Sequence, residues 1–210
     1  MRTWEADDPK ADIMEKKRSL IVDAALRAFL DEGYTGSSVN RIAADAGVAI
    51  TTLYRHFDSK EDLYVSVIQD LCDRTQYMTT QPWLNKPPLE GLTEAGVAYL
   101  SHILSDDRLA LYRIMARDAH RFPEVGRRYQ QDVVAKRIAL FTNYLTHWPE
   151  AQREKVKDPV RAARTYLTLL QGDFLETVLY GGPRPAAEQI RQRAQEASAE
   201  LLVLVDVGRL

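Results

Sequence analysis

Three residues have the types and the spacing to read the edges of base pairs. Thr51, Thr52 and Arg55 fall at i, i+1 and i+4 of residues 50–57, so on a helix they share one outer face. An arginine placed there offers two donors to O6 and N7 of a guanine, and a threonine offers a hydroxyl or meets a thymine methyl. Ile50 has two readings: it repeats with Leu53 and Phe57 as core, or it faces a thymine methyl from the helix start. Arg41, one helix earlier, could reach the sugar-phosphate backbone. Lys60 falls near another helix start, where charge and free N–H groups both favour a phosphate.

A second group of residues suits a small molecule. Tyr99, Tyr112, Phe141, Tyr144, Trp148, Tyr166 and Phe174 lie on amphipathic segments that would surround one interior. His102, Met115, His120 and Asp173 add polarisable or polar points. Mostly apolar walls with a few polar groups describe a ligand site, and buried Tyr and Trp need partners for their polar atoms. The same rings at helical spacing equally describe plain core packing.

Chemistry of other kinds has no residues to carry it. There is no Gly-rich phosphate loop, GxSxG, HExxH or CxxC. The four histidines (56, 102, 120, 147) are scattered over different segments and do not have metal-ligand spacing. No enzyme activity, metal or cofactor is expected. The single cysteine, Cys72, rules out an internal disulfide, suits a reducing cytoplasm, and reads as a small buried or half-buried residue. No apolar run is long enough to span a bilayer, and residues 1–12 are acidic and polar, unlike a signal peptide. A cytoplasmic chain with no membrane partner is expected. The formal net charge is −2, and residues 1–60 hold nine Lys/Arg against ten Asp/Glu. A nucleic-acid reading therefore rests on where the cations stand, not on bulk charge.

The elements that must position these residues centre on residues 38–57. Val39, Ile42 and Ala43 repeat at helical spacing behind Ser38, which stands where an N-cap hydroxyl would cap the first turn. Gly47 follows that helix where a left-handed backbone is usual, and Val48 packs the turn. A second helix covers 50–57, with Leu53 and Phe57 inward. Ala49 carries no capping group, and Thr51 is the nearest hydroxyl for that role. Helix, short turn and second helix make a helix-turn-helix, whose second helix enters the major groove.

Upstream, the stripe Ile21, Ala24, Ala25, Ala28, Phe29 predicts a helix to about Glu32, ended by Gly33 and covered by Tyr34. Residues 1–12 read as a mobile tail. Lys16, Lys17 and Arg18 come next at the helix start, as either a solvated face or a phosphate contact. Downstream, Ser59 and Asp62 form a capping box for a helix from Lys60 to about Tyr77, with Leu63, Val67 and Leu71 inward. Prolines then bound five more helical segments: 89–105, 108–121, 124–148, 160–180 and 186–207. The expectation is an all-α chain of nine helices. Residues 1–60 hold the tail and the helix-turn-helix domain, and 61–210 a larger helical domain.

Residues 22–67 resemble the N-terminal domain of the TetR/AcrR family of bacterial regulators. The resemblance lies in AALRAF (24–29), DEGYTGSSV (31–39), RIAADAGV (41–48), TLYRHF (52–57) and SKEDL (59–63). Residues 111–130 also resemble C-terminal domains of the AcrR-like branch. The family pattern often has Ser, a variable residue and Gly where this chain has Ala49, Ile50 and Thr51. The resemblance implies a nine-helix fold and phosphate contacts from Ser38, Tyr54, His56 and Lys60. It also implies a homodimer formed through a bundle of the last two helices. It further implies a repressor that leaves a palindromic DNA operator when a small molecule, here apolar or aromatic, binds the C-terminal domain. Two copies would set recognition helices on half-sites about 34 Å apart, or a multiple of that. An effector-less DNA-binding protein, and a ligand carrier or enzyme built on the C-terminal domain, are the alternatives.

Overall fold

The computed structural model describes residues 9–74 and 82–210, and among them every regular element is helical. The tail (residues 1–8), Tyr77 and the rest of residues 75–81 lie outside the described residues, and so does the side chain of Cys72. The chain divides into two compact units.

The first unit contains residues 9–74 and 113–126. Its first helix, α1 (Pro9–Gly36), already runs through residues 9–12 of the expected tail. Lys16 and Lys17 are therefore exposed two turns into a helix, not at its start. Gly33 (φ 75°, ψ 175°) breaks α1 as expected, although the chain returns to helix for one more turn. At the break the guanidinium of Arg117 donates to the carbonyls of Phe29 and Leu30. Tyr34 packs beyond the break, edge-on to Tyr64 (5.2 Å) and Phe122 (4.8 Å).

Two short helices come next, α2 (Val39–Asp45) and α3 (Ile50–His56), then α4 (Lys60–Arg74). The start of α4 is closed by Ser59 Oγ, which accepts from the Asp62 N–H, and by Asp62, which accepts from the Asp58 N–H, both at 3.0 Å. Ile21, Ala25, Phe29, Ile42, Leu53, Phe57, Leu63, Val67 and Leu71 are fully or almost fully buried and make the core on which α3 is mounted.

The second unit contains residues 82–112 and 127–210. A 3₁₀ turn (Pro82–Asn85) leads to α5 (Pro88–Ile103) and α6 (Asp106–Asp118), of which residues 106–112 belong here. The single helix expected over 124–148 is α7 (Pro123–Tyr129), of which only residues 127–129 belong here, a π-helical stretch (Gln130–Ala135) and α8 (Lys136–Thr146). After the short α9 (Glu150–Arg153), the helix expected over 160–180 is divided into α10 (Pro159–Gln171) and α11 (Phe174–Leu179). The break falls at Gly172 (φ 46°, ψ −129°), a backbone no other residue adopts without strain. The last helix is α12 (Ala187–Asp206).

α12 lies along α5, and α10 packs on α8 and α12. Two glycines of α5 make this close packing fit. A Cβ on Gly91 would overlap the Tyr144 hydroxyl and stand 2.8 Å from the Trp83 carbonyl oxygen. One on Gly96 would stand 2.6 Å from the Tyr166 hydroxyl.

Candidate nucleic-acid interface and ligand cleft

The outward face of α3 is set by what its inward face buries. Leu53 and Phe57 are in the core, and the Ala49 carbonyl accepts from the N–H groups of Thr52 (2.8 Å) and Leu53 (3.2 Å). Ala49 itself is the N-cap, with extended backbone and no side-chain cap bond. The helix thus starts without a hydroxyl cap, and Thr51 lies in its first turn instead of capping it. Burial of Leu53 and Phe57 supplies what the cap would have given.

Thr51, Tyr54 and Arg55 are exposed at i, i+3 and i+4, while Ile50, Thr52 and His56 are half-buried. Ile50 is therefore shared between the core edge and the surface. Arg55 has no ion-pair partner among the described residues. Arg41 does: its guanidinium meets Glu32 at 2.5 Å and Asp45 at 3.8 Å.

Ser38 is the exposed N-cap of α2, but its hydroxyl makes no cap bond. The neighbouring Ser37 hydroxyl is the one turned inward, to the Tyr34 carbonyl at 3.0 Å. Lys60 is also turned inward. Its ammonium donates to the Ser37 carbonyl at 2.5 Å and stands 4.9 Å from the Tyr34 ring centre. Burial, then the charge of Arg121, lowers the Lys60 pKa. Burial, with Arg18 behind it, also lowers that of His56, so at neutral pH the ring is an uncharged donor. Arg18 packs over Phe57 at 5.6 Å.

The candidate ligand residues do not form one site. Phe141, Tyr144, Trp148 and Tyr166 are core. Phe141 stacks on Trp83 (6.1 Å) and meets Tyr166 edge-on (5.4 Å), and the Tyr166 hydroxyl donates to the Leu92 carbonyl. Asp173 and Phe174 stand at the α10–α11 break, held by Arg193, which meets the carboxylate at 3.1 Å and the ring at 5.0 Å. Met115 belongs to the first unit. His102 is half-buried near the end of α5.

Tyr99 and Tyr112 come together with residues that the sequence reading missed. Arg137 donates to the hydroxyls of Tyr99 (3.0 Å) and Tyr112 (3.4 Å), and Gln171 donates to that of Tyr99. Arg137 and Gln171 also line a cleft of about 180 Å³ with Arg164 and Leu167. A signal for Arg137 was present: residues 137, 141, 144 and 148 repeat at four, three and four, which puts a cation on the core stripe of its helix.

Residues 21–67 match the model of the bacterial regulatory proteins of the tetR family, and residues 90–202 that of the AefR-like transcriptional repressor C-terminal domain. The chain belongs to the TetR family. Its two matched parts are those of a DNA-binding transcriptional regulator.

Among TetR relatives, the transcriptional activator FasR of Mycolicibacterium smegmatis is 33% identical over 94 residues, 42% of each chain. The fatty acid metabolism regulator protein of Bacillus subtilis is 42% identical over 50 residues, 24% of this chain and 26% of that one. The chain thus spans less than half the length of these curated relatives.

The flavonoid-responsive regulator FrrA has the same fold, with a TM-score of 0.72 and 29% identity over 90% of this chain and 96% of its own. A TetR-family regulator from Mesorhizobium loti shares the fold alone, with a TM-score of 0.77 and 23% identity over 91% and 97%. Among the described residues no helix is long and apolar enough to cross a membrane, and no group of His, Cys, Asp or Glu could hold a metal.

Proposed function

We propose that this TetR-family chain is a homodimeric cytoplasmic repressor that leaves a palindromic operator when a small molecule binds its second unit. The observation that carries the reading is the α3 face. Thr51, Tyr54 and the unpaired Arg55 stand outward on a helix whose other side is fixed in a packed core. Arg55 and the two threonines read base edges. Ser38, Arg41, Tyr54, His56 and Lys60 serve the phosphates, with Arg41 and Lys60 first leaving the partners they hold in the free chain. Residues 1–60 are the DNA-binding head, and 61–210 carry the effector and the dimer contact.

Dimerisation through the last helices is supported by apolar side chains left in solvent. Val203 and Val207 lie one turn apart along α12 and its end, 59% and 64% exposed, and Tyr180 after α11 is 82% exposed. A small aromatic effector is supported by the likeness to FrrA, which is flavonoid-responsive. The effector acts only if it binds one spacing of the two heads better than the other. Binding alone accounts for the function, and catalysis has no part in it. The likeness to FasR, an activator, favours a second reading in which the same bound dimer recruits transcription instead of blocking it.

The test is selection of bound genomic fragments by the purified chain at physiological salt. Enrichment of a short palindrome supports the operator reading and gives the half-site spacing. Weak binding with no sequence enriched refutes it.

A further inference from the structure

Two arginines stand among the rings of the second unit. Arg137, on α8, stands 5.5 Å over the Tyr99 ring, and its hydrogen-bond partners are the Tyr99 and Tyr112 hydroxyls. Its Nε is buried with no partner in the protein. Arg108, 2% exposed, stands 5.8 Å over the Tyr112 ring, and Tyr129 meets that ring edge-on at 6.4 Å. Neither Tyr99 nor Tyr129 supplies a counter-charge. Burial pushes Tyr99 up to about 12, and burial with Tyr112 pushes Tyr129 further up, so both stay neutral at neutral pH. The Arg137 guanidinium, taken from water with two phenol hydroxyls as its hydrogen-bond partners, is costly, and the charge of a ligand offsets that cost.

Arg137 is also accessible. It forms one wall of the cleft of about 180 Å³, together with Gln171 and the exposed Arg164, and Ile138 and Leu167 form the apolar side. A planar guanidinium matches a carboxylate with two parallel N–H donors. The volume falls below the roughly 300 Å³ at which drug-sized sites begin, so the ligand is small.

We propose that this cleft takes a small organic carboxylate, its anion on Arg137 with Arg164 at the mouth and its apolar body along Ile138 and Leu167. The assignment rests on the effector reading above and names the chemistry of that effector.

Calorimetric titration of the whole chain with benzoate, hexanoate, benzamide and inorganic phosphate tests it. One acid saturates one site per chain, and benzamide and phosphate bind at least about tenfold more weakly. Arg137→Gln loses the preference for the acid over the amide. Arg164→Glu, a surface change that leaves folding intact, weakens the acid by about tenfold or more through like-charge repulsion. Benzamide or phosphate bound as tightly as the acids, either variant with unchanged affinity, or no saturable binding of either acid overturns the proposal.

Release of the selected operator fragment, measured in parallel, separates the two readings. Acid bound without release leaves the cleft assignment standing and sinks the effector reading. Release by benzamide, with the acids inert, does the reverse.

Discussion

Gly91→Ala should destabilise the second unit, although the same change in most helices stabilises. An alanine is favoured over glycine by about 1 kcal/mol inside a helix. Against that, the new methyl would overlap the Tyr144 hydroxyl and come 2.8 Å from the Trp83 carbonyl oxygen and 2.9 Å from Tyr144 Cζ. Tyr144 is fully buried, edge-on to Trp83 at 4.9 Å and to Trp148 at 6.0 Å, so its ring has little room to withdraw. Overpacking of this kind costs about 1–3 kcal/mol, and the clash with a backbone oxygen cannot be relieved by a rotamer change, which places it near the top of that range.

The net expectation for Gly91→Ala is a loss of about 1–2 kcal/mol, or roughly 2–8 °C in Tm for a chain of this size. Urea unfolding at fixed protein concentration measures it, with an unchanged m-value required. Tyr144→Phe added to Gly91→Ala should recover part of the loss, because the hydroxyl overlap goes and the carbonyl clash stays. Gly126→Ala is the control. Among the described residues its Cβ would meet the Ala119 methyl, at 3.9 Å, so it should gain up to about 1 kcal/mol. A Gly91→Ala chain as stable as its parent would refute this close contact between α5, Trp83 and Tyr144.

Three further changes probe the first unit. Arg55→Ala should cost about 1–3 kcal/mol on the selected operator and relax preference at one base pair, whereas equal weakening on random DNA would remove its base-reading role. Lys60→Met should lower stability by about 1–2 kcal/mol through loss of the Ser37 carbonyl bond and the Tyr34 contact, and an unchanged melting curve would contradict that. The lowered pKa of His56 means that the unfolded chain binds its proton first. Its contribution is complete above pH 6.5 and is lost as pH falls through the lower folded value. His56→Gln should therefore lose less stability than the parent between about pH 7.5 and pH 5, and parallel losses in the two chains would be the contrary result.

The helix-turn-helix was legible because each of its signals is local. The stripes of α1 and α4, the break at Gly33 and the Ser59–Asp62 cap all involve residues within a few positions of one another. The outward set on α3 was less legible. Helical spacing alone gave Thr52 the same standing as Thr51, and only the packing around Leu53 and Phe57 turns Thr52 partly inward.

Lys60 shows where a local reading stops. A lysine at a helix start invites a phosphate, but its ammonium is met by the Ser37 carbonyl, 23 positions away in the chain. The ligand residues were the least legible. Aromatic spacing selected core members such as Phe141 and Tyr166, because a ring looks the same in sequence whether it lines a cleft or fills a core. The arginine that joins Tyr99 to Tyr112 was passed over: the stripe of α8 puts it on the core side, but its partners are rings from other helices, which no single segment shows.

The π-helical stretch Gln130–Ala135 has a consequence for how this chain can diverge. A π turn accommodates an extra residue within an otherwise α-helical run. Loss of one codon there would restore α geometry and rotate α7 against α8 by about 100°. Phe141 and Tyr144 anchor α8 in the core, so Arg137 would stay in place while Tyr129 swung away from Tyr112. A single in-frame deletion would thus withdraw the buried Tyr129 from beside Tyr112 while the core residues of α8 keep their places. Length variation at this turn gives gene duplicates a short mutational route to new ligand preferences.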